Sequence, residues 1–181
     1  MFRWRSPRRG HRGQALVEFA LLSPVLMLLL VGVVDLGRAL YYQVQTASAA
    51  RDAARMMVLN ASTSGLGGYP NTASTPDQSV CGLVQQDLNG TFSVTCQDAP
   101  SAPPYASGSY TAPAAGNALV LLYPSNSCRT SPSTTSCPNG IANNVDVYAT
   151  VIYTFNPVIP FSPQVLGNIT LQTSFEMRAD W

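Results

Sequence analysis

The sequence predicts an α+β protein: a long N-terminal transmembrane-plus-stalk helix followed by a small antiparallel, β-rich, disulfide-containing domain. Three observations lead there. Ala15 to Val34 is an apolar run whose only ionisable group is Glu18. From Asp35 to Leu59 the chain is rich in Ala, Leu, Gln, Arg and Met, good helix formers, with nothing to stop a helix before Asn60. Farther on, Val145, Val147, Ala149, Val151, Tyr153 and Phe155 alternate with mainly polar neighbours, and Ile169, Leu171, Thr173, Phe175 and Met177 repeat the pattern, the period of a half-buried strand.

The apolar run has the length of a bilayer span. At about 1.5 Å per residue its twenty residues reach about 30 Å, the thickness of the hydrocarbon core. Arg3, Arg5, Arg8, Arg9 and Arg12 precede it with no acidic residue, which keeps the N-terminus cytoplasmic and sends the rest of the chain across. Beyond Gly13 the chain holds five arginines against nine acidic residues, a net of −4, and no lysine. The basic character therefore belongs to topology, and the composition argues against nucleic-acid binding.

Three fates of this N-terminus compete. A secretory signal would be cut near Gly37-Arg38-Ala39, although the apolar run is long for that role and Arg38 is awkward at such a site. A plain signal anchor would leave Glu18 snorkelling at the interface or paired with Arg12. Cleavage on the cytoplasmic side after Gly13 would instead leave the whole apolar segment on the mature chain.

The residues around Gly13 resemble a known family. Gly13, four residues, then Glu18 and Phe19 are similar to the type III signal of type IV pilins and pseudopilins. Gln14-Ala15-Leu16-Val17-Glu18-Phe19-Ala20-Leu21 with Pro24, and later Asp35 through Met56, resemble TadE-like minor pilins of the tight-adherence (Flp) pilus system. The resemblance is dense over about residues 12–57 and looser beyond. It implies a cytoplasmic leader, 1–13, with Gly13 as its last residue before a prepilin peptidase, and Gln14 as the new N-terminus. It also implies that Glu18 faces the terminal amine of a neighbouring subunit. An ammonium at one helix start and a carboxylate about 6 Å along another neutralise each other where neither is cheap alone, and set axial register.

On this reading 14–34 is the transmembrane helix and 35–59 a stalk continuing it, the two forming one helix about 70 Å long. Pro24 removes a backbone bond to Ala20 and is expected to bend it. Leu36, Leu40, Val44, Ala47, Ala54 and Val58 mark one stalk face, with Arg51, Asp52 and Arg55 on the other side. Asp35 with Arg38, and Asp52 with Arg55, are spaced to pair. Gly32, Gly37, Ala47, Ser48, Ala49 and Ala50 permit close approach of another helix.

Residues 60–181 form the extracytoplasmic domain, with only eight charged side chains. A loop spans Ser62–Pro76. Val80, Leu83, Val84 and Leu88 have helical spacing, with Asp77 or Ser79 as N-cap and Gly90 as the stop. Phe92, Val94 and Cys96 alternate as a short strand, Ala99–Gly116 is a Pro- and Ser-rich loop, and Ala118–Tyr123 is a buried strand. The four cysteines allow three pairings; nearest neighbours, Cys81 with Cys96 and Cys128 with Cys137, are the expectation. Such bonds fit an oxidising, extracytoplasmic location. A zinc site is the rival, but no Cys-x-x-Cys knuckle occurs.

Catalysis is not expected. The single histidine, His11, falls in the leader, no lysine exists for a Schiff base, and Gly65-Leu66-Gly67-Gly68 follows no strand. No metal or cofactor is expected. Tyr105, Tyr110 and Tyr123 are candidates for carbohydrate or protein contact, set against local packing. The partners implied are the lipid bilayer, a prepilin peptidase, other pilin subunits and a pilus assembly platform, with adhesion as the outcome. The alternative is a single-pass, membrane-anchored binding module unrelated to pili.

Overall fold

The computed structural model describes residues 12–58, 79–88, 93–106, 108–130, 145–158 and 169–179. The leader up to His11, the loop Ser62–Pro76 with its glycines, Asp77, Gly90, Phe92 and Cys137 lie outside the described residues.

Helix α1 runs unbroken from Arg12 to Val58, through Pro24. After it come α2 (Val80–Asp87), β1 (Ser93–Asp98), β2 (Asn117–Tyr123), α3 (Asn126–Thr130), β3 (Val145–Phe155) and β4 (Ile169–Ala179). The fold is α+β. Its four strands form one sheet in the order β1-β2-β3-β4.

The sheet is mixed where the sequence reading expected antiparallel strands. β2–β3 and β3–β4 are antiparallel, but β1 pairs with β2 in parallel, Ser93 opposite Asn117 and Asp98 opposite Leu122. The reason is the length of the connection. Parallel neighbours need a crossover of about a dozen residues or more to return to the starting end, and Ala99–Gly116 supplies it. Gly116, in the left-handed region with φ of 81°, makes the final turn into β2.

Both faces of the sheet are covered at its centre, which is why β2 reads as a continuous apolar run rather than an alternating one. On one face Ala118, Val120, Leu122, Val147, Ala149, Val151, Tyr153 and Phe155 pack with Ala49, Ala50, Ala53, Ala54 and Met57 of α1 and Val80, Val84 and Leu88 of α2. On the other, Leu119, Leu121 and Ile152 meet Ala99 and the rings of Tyr105, Tyr110 and Tyr123.

The face of α1 that docks is not the one its large aliphatics suggest. Leu36, Leu40 and Val44 are exposed, whereas Thr46, Ala49, Ala50, Ala53, Ala54 and Met57 are buried. Alanines let a helix backbone come close to a sheet whose own side chains already fill the interface. Ala49 and Ala50, expected to serve another helix, therefore serve the sheet.

Local chemistry explains the smaller elements. Ser79 caps α2 by accepting from the Gly82 N–H at 3.0 Å. The short α3, which sequence spacing did not reveal, starts where the Asp98 carboxylate accepts from the Asn126 N–H at 2.9 Å. Cys81 and Cys96 form a disulfide that ties α2 to β1. Cys128 is disulfide-bonded as well.

Asp87 is a strained choice at the end of α2. A carboxylate at a helix C-terminus opposes the helix dipole, and partial desolvation, then the nearby Asp52 charge, raise its pKa above the ordinary 3.8. The folded state thus holds the proton more tightly than the unfolded chain. Stability from this group is present at low pH and declines as pH rises from near 3.8 through the raised folded value. Asp87→Asn should therefore give a small rise in Tm at pH 7 and none in strong acid; equal rises at both pH values would refute the electrostatic origin.

Candidate functional site: the exposed helix and its collar

Among the described residues, the apolar first half of α1, up to Val34, is left uncovered by the rest of the protein. Leu16, Phe19, Leu21, Leu22, Met27, Leu29, Leu30 and Val33 are all exposed, and none of the most apolar stretch is buried inside the protein. Such a surface needs lipid or other apolar helices around it. Gly13 lies in the first turn, and no atom of another part of the chain stands within 4 Å of where its Cβ would be. Glu18 is exposed, with its carboxylate accepting from the Gln14 side-chain amide one turn back, 3.4 Å away. Phe19 is 65% exposed. Gln14, Glu18 and Phe19 thus sit together at the open end of the helix, and Pro24 follows within the same apolar stretch.

Where the apolar stretch ends, the sheet domain packs on one side of the helix. Asp35 is buried, and the Val158 N–H donates to both its carboxylate oxygens, at 3.1 and 3.0 Å. Arg38 donates to the same carboxylate at 3.3 Å, as its spacing suggested. Its guanidinium also stands 5.8 Å from the ring centres of Tyr42 and Phe155. Its pKa is pushed up, chiefly by the Tyr42 hydroxyl, so it stays charged. Tyr42 packs edge-on against Tyr153, centroids 5.3 Å apart. About two and a half turns past Tyr42, Arg51 lies 5.3 Å from the Phe175 ring. This collar of aromatic rings and charges was not visible in the sequence, because Asp35 and Val158 are separated by 123 residues.

Beyond the collar α1 has two unlike faces. One is sealed by the sheet. The other presents Leu36, Leu40, Tyr41 and Val44, each more than half exposed, in line with the apolar surface of the first half.

The tyrosines considered for ligand contact are largely structural. Tyr105 and Tyr110 meet edge to face with centroids 6.0 Å apart. Tyr105 donates to the Thr150 hydroxyl at 3.2 Å and Tyr110 to Gln172 at 3.5 Å; burial raises the Tyr105 pKa. Tyr123 leans on Tyr148. An open groove beside them is lined by Pro103, Pro104, Tyr148, Gln172, Ser174 and Glu176. Among the described residues no group of three or more His, Cys, Asp or Glu could hold a metal ion.

Comparison with known proteins bears on the helix alone. No curated protein and no solved structure matches the chain. Residues 13–55 match the family model described as TadE-like protein, which takes in all of α1 but its first residue and its last three. The match covers the bare apolar helix and the helix side of the collar, Asp35, Arg38, Tyr42 and Arg51, and none of the sheet-domain residues that complete it.

Proposed function

We propose that this chain is a structural minor pilin, or pseudopilin, of a tight-adherence (Flp, type IVb-like) pilus, and that it acts in pilus assembly and surface adhesion rather than as an enzyme. It enters the bacterial cytoplasmic membrane with its arginines inside and its sheet domain outside. A prepilin peptidase cuts between Gly13 and Gln14, and the mature helix joins those of other pilin subunits on the assembly platform.

The observation that favours this over a membrane-anchored binding module is the outward face of α1. An anchor needs apolar surface only across the lipid. Here Leu36, Leu40 and Val44 continue it past the buried Asp35, out of the hydrocarbon core to levels where packing against other helices would cover it. Residues 13–55, matched to the TadE-like family, include that stripe.

Glu18 has a defined role in this reading. Its exposed carboxylate is free to meet a neighbour's Gln14 amine, exchanging a weak bond within its own helix for a charge pair between helices. Removing one partner of such a pair in a low-dielectric site costs about 3–5 kcal/mol, enough to reduce assembly more than a hundredfold. Glu18→Ala should therefore reach the membrane at normal levels and fail to enter pili, with Glu18→Asp intermediate. Normal incorporation of Glu18→Ala, followed by immunoblot of sheared pili, would remove the register role.

A further inference from the structure

We propose that the bend just after β3 is a second membrane contact: Val158 is seated in the outer boundary of the bilayer, held there by Asp35. The proposal rests on reading the first half of α1 as a membrane span. Asp35 follows the last apolar residue of that span, Val34, and one helical residue advances the chain by only about 1.5 Å. The Val158 backbone hydrogen-bonds both oxygens of the Asp35 carboxylate. It is therefore fixed at the depth where hydrocarbon gives way to headgroups. Yet the Val158 side chain is 59% exposed, which in water would be a poor use of a carboxylate buried to hold it.

Three further features suit a lipid boundary at this level. From Val147 to Val158 the chain carries no charged residue, so the strand leading to Val158 brings no ionised group to the lipid boundary. Arg38, partly exposed beside Asp35, is placed for a headgroup phosphate while its inner side stacks on Tyr42 and Phe155. Tyr41 is exposed about two turns past Val34, the depth at which aromatic rings collect. The occupant is thus the headgroup and upper acyl region of a phospholipid bilayer. Its effect is to fix the tilt of the sheet against the membrane through two points, the helix and Val158, rather than one.

The test places an environment-sensitive NBD label at Val158→Cys in the full chain, reconstituted in phosphatidylcholine–phosphatidylglycerol vesicles. No free cysteine is present among the described residues to compete for it. Parallel labels go at Leu28→Cys in mid-span and at Glu176→Cys, near the opposite end of the β3–β4 pair. Blue-shifted emission at 158, quenched by a doxyl group near the lipid headgroup and not by aqueous iodide, with iodide quenching at 176, is the expected result. Iodide quenching at 158, with doxyl quenching preserved at 28, would overturn the proposal and leave the span intact. Shielding of 158 from both quenchers would mean that protein covers it, and would overturn the proposal equally. Absence of quenching at 28 by a doxyl group deep in the acyl chain would remove the span and this inference together. Adding Asp35→Ala or Asp35→Asn should abolish doxyl quenching at 158; if the Cys81–Cys96 bond still forms and quenching persists in both, Asp35 does not seat it.

Discussion

Gly13→Leu should yield a chain that keeps its arginine leader, so that N-terminal sequencing of the membrane-extracted protein begins at residue 1 instead of Gln14. The expected change is from essentially complete processing to essentially none. The protein's own fold gives no other reason for a defect. Nothing lies near a Cβ at this position, and leucine is the better helix former by about 1 kcal/mol. On the proposed reading any loss would therefore come from the peptidase, whose active site would have to approach the Gly13–Gln14 peptide closely. The uncut chain would keep five cationic residues that belong in the cytoplasm, and its helix would be held from sliding outward into a filament. A Gly13→Leu protein that still begins at Gln14, or a wild-type protein found with its leader intact, would sink the pilin reading at its first step.

The second large effect is expected at the Cys81–Cys96 bond, which closes a loop of 15 residues. In the chain-entropy account such a loop is worth about 3 kcal/mol. This bond holds the weakest corner of the domain. α2 is eight residues long, too short to persist alone. β1 is an edge strand with β2 as its only neighbour in the sheet. Once the bond is gone, Val80, Val84 and Leu88 must keep α2 in place by packing alone. The Cys81→Ala/Cys96→Ala protein should lose about 3 kcal/mol in denaturant titration, with β1 amides exchanging early while those of β3 stay protected. An unchanged midpoint would mean that packing suffices.

Much of this architecture was legible residue by residue. β4 announces itself because one of its faces is partly covered and the other open, and β3, buried on both faces, still alternates because its second face takes the small polar Thr150 and Thr154. Ser79 was readable as a cap because its hydroxyl has one obvious partner. The Cys81–Cys96 pairing followed from the short segment between them. The parallel pairing of β1 with β2 was not legible, since the strand residues carry no mark of direction and only the long Ala99–Gly116 connection hints at it. The docking face of α1 misled for a physical reason. Hydrophobic size favours Leu36, Leu40 and Val44, but a helix lying close on a filled sheet selects small residues, and the larger ones are left outside. The Asp35–Val158 contact had no local signal at all. At the open end of the helix, Gly13, Glu18 and Phe19 were conspicuous because a carboxylate in an apolar run calls for an explanation that local packing does not provide.

The unbroken course of α1 has a mechanical consequence. No proline interrupts it between Val34 and the alanines under the sheet, and Asp35 bolts the far end of β3 to it, so the helix and the sheet turn as one body. Rotating the shaft about its long axis would swing the whole external head through the same angle. On the proposed membrane reading, a torque on the helix beyond Pro24 would thus reach the sheet as a change of heading.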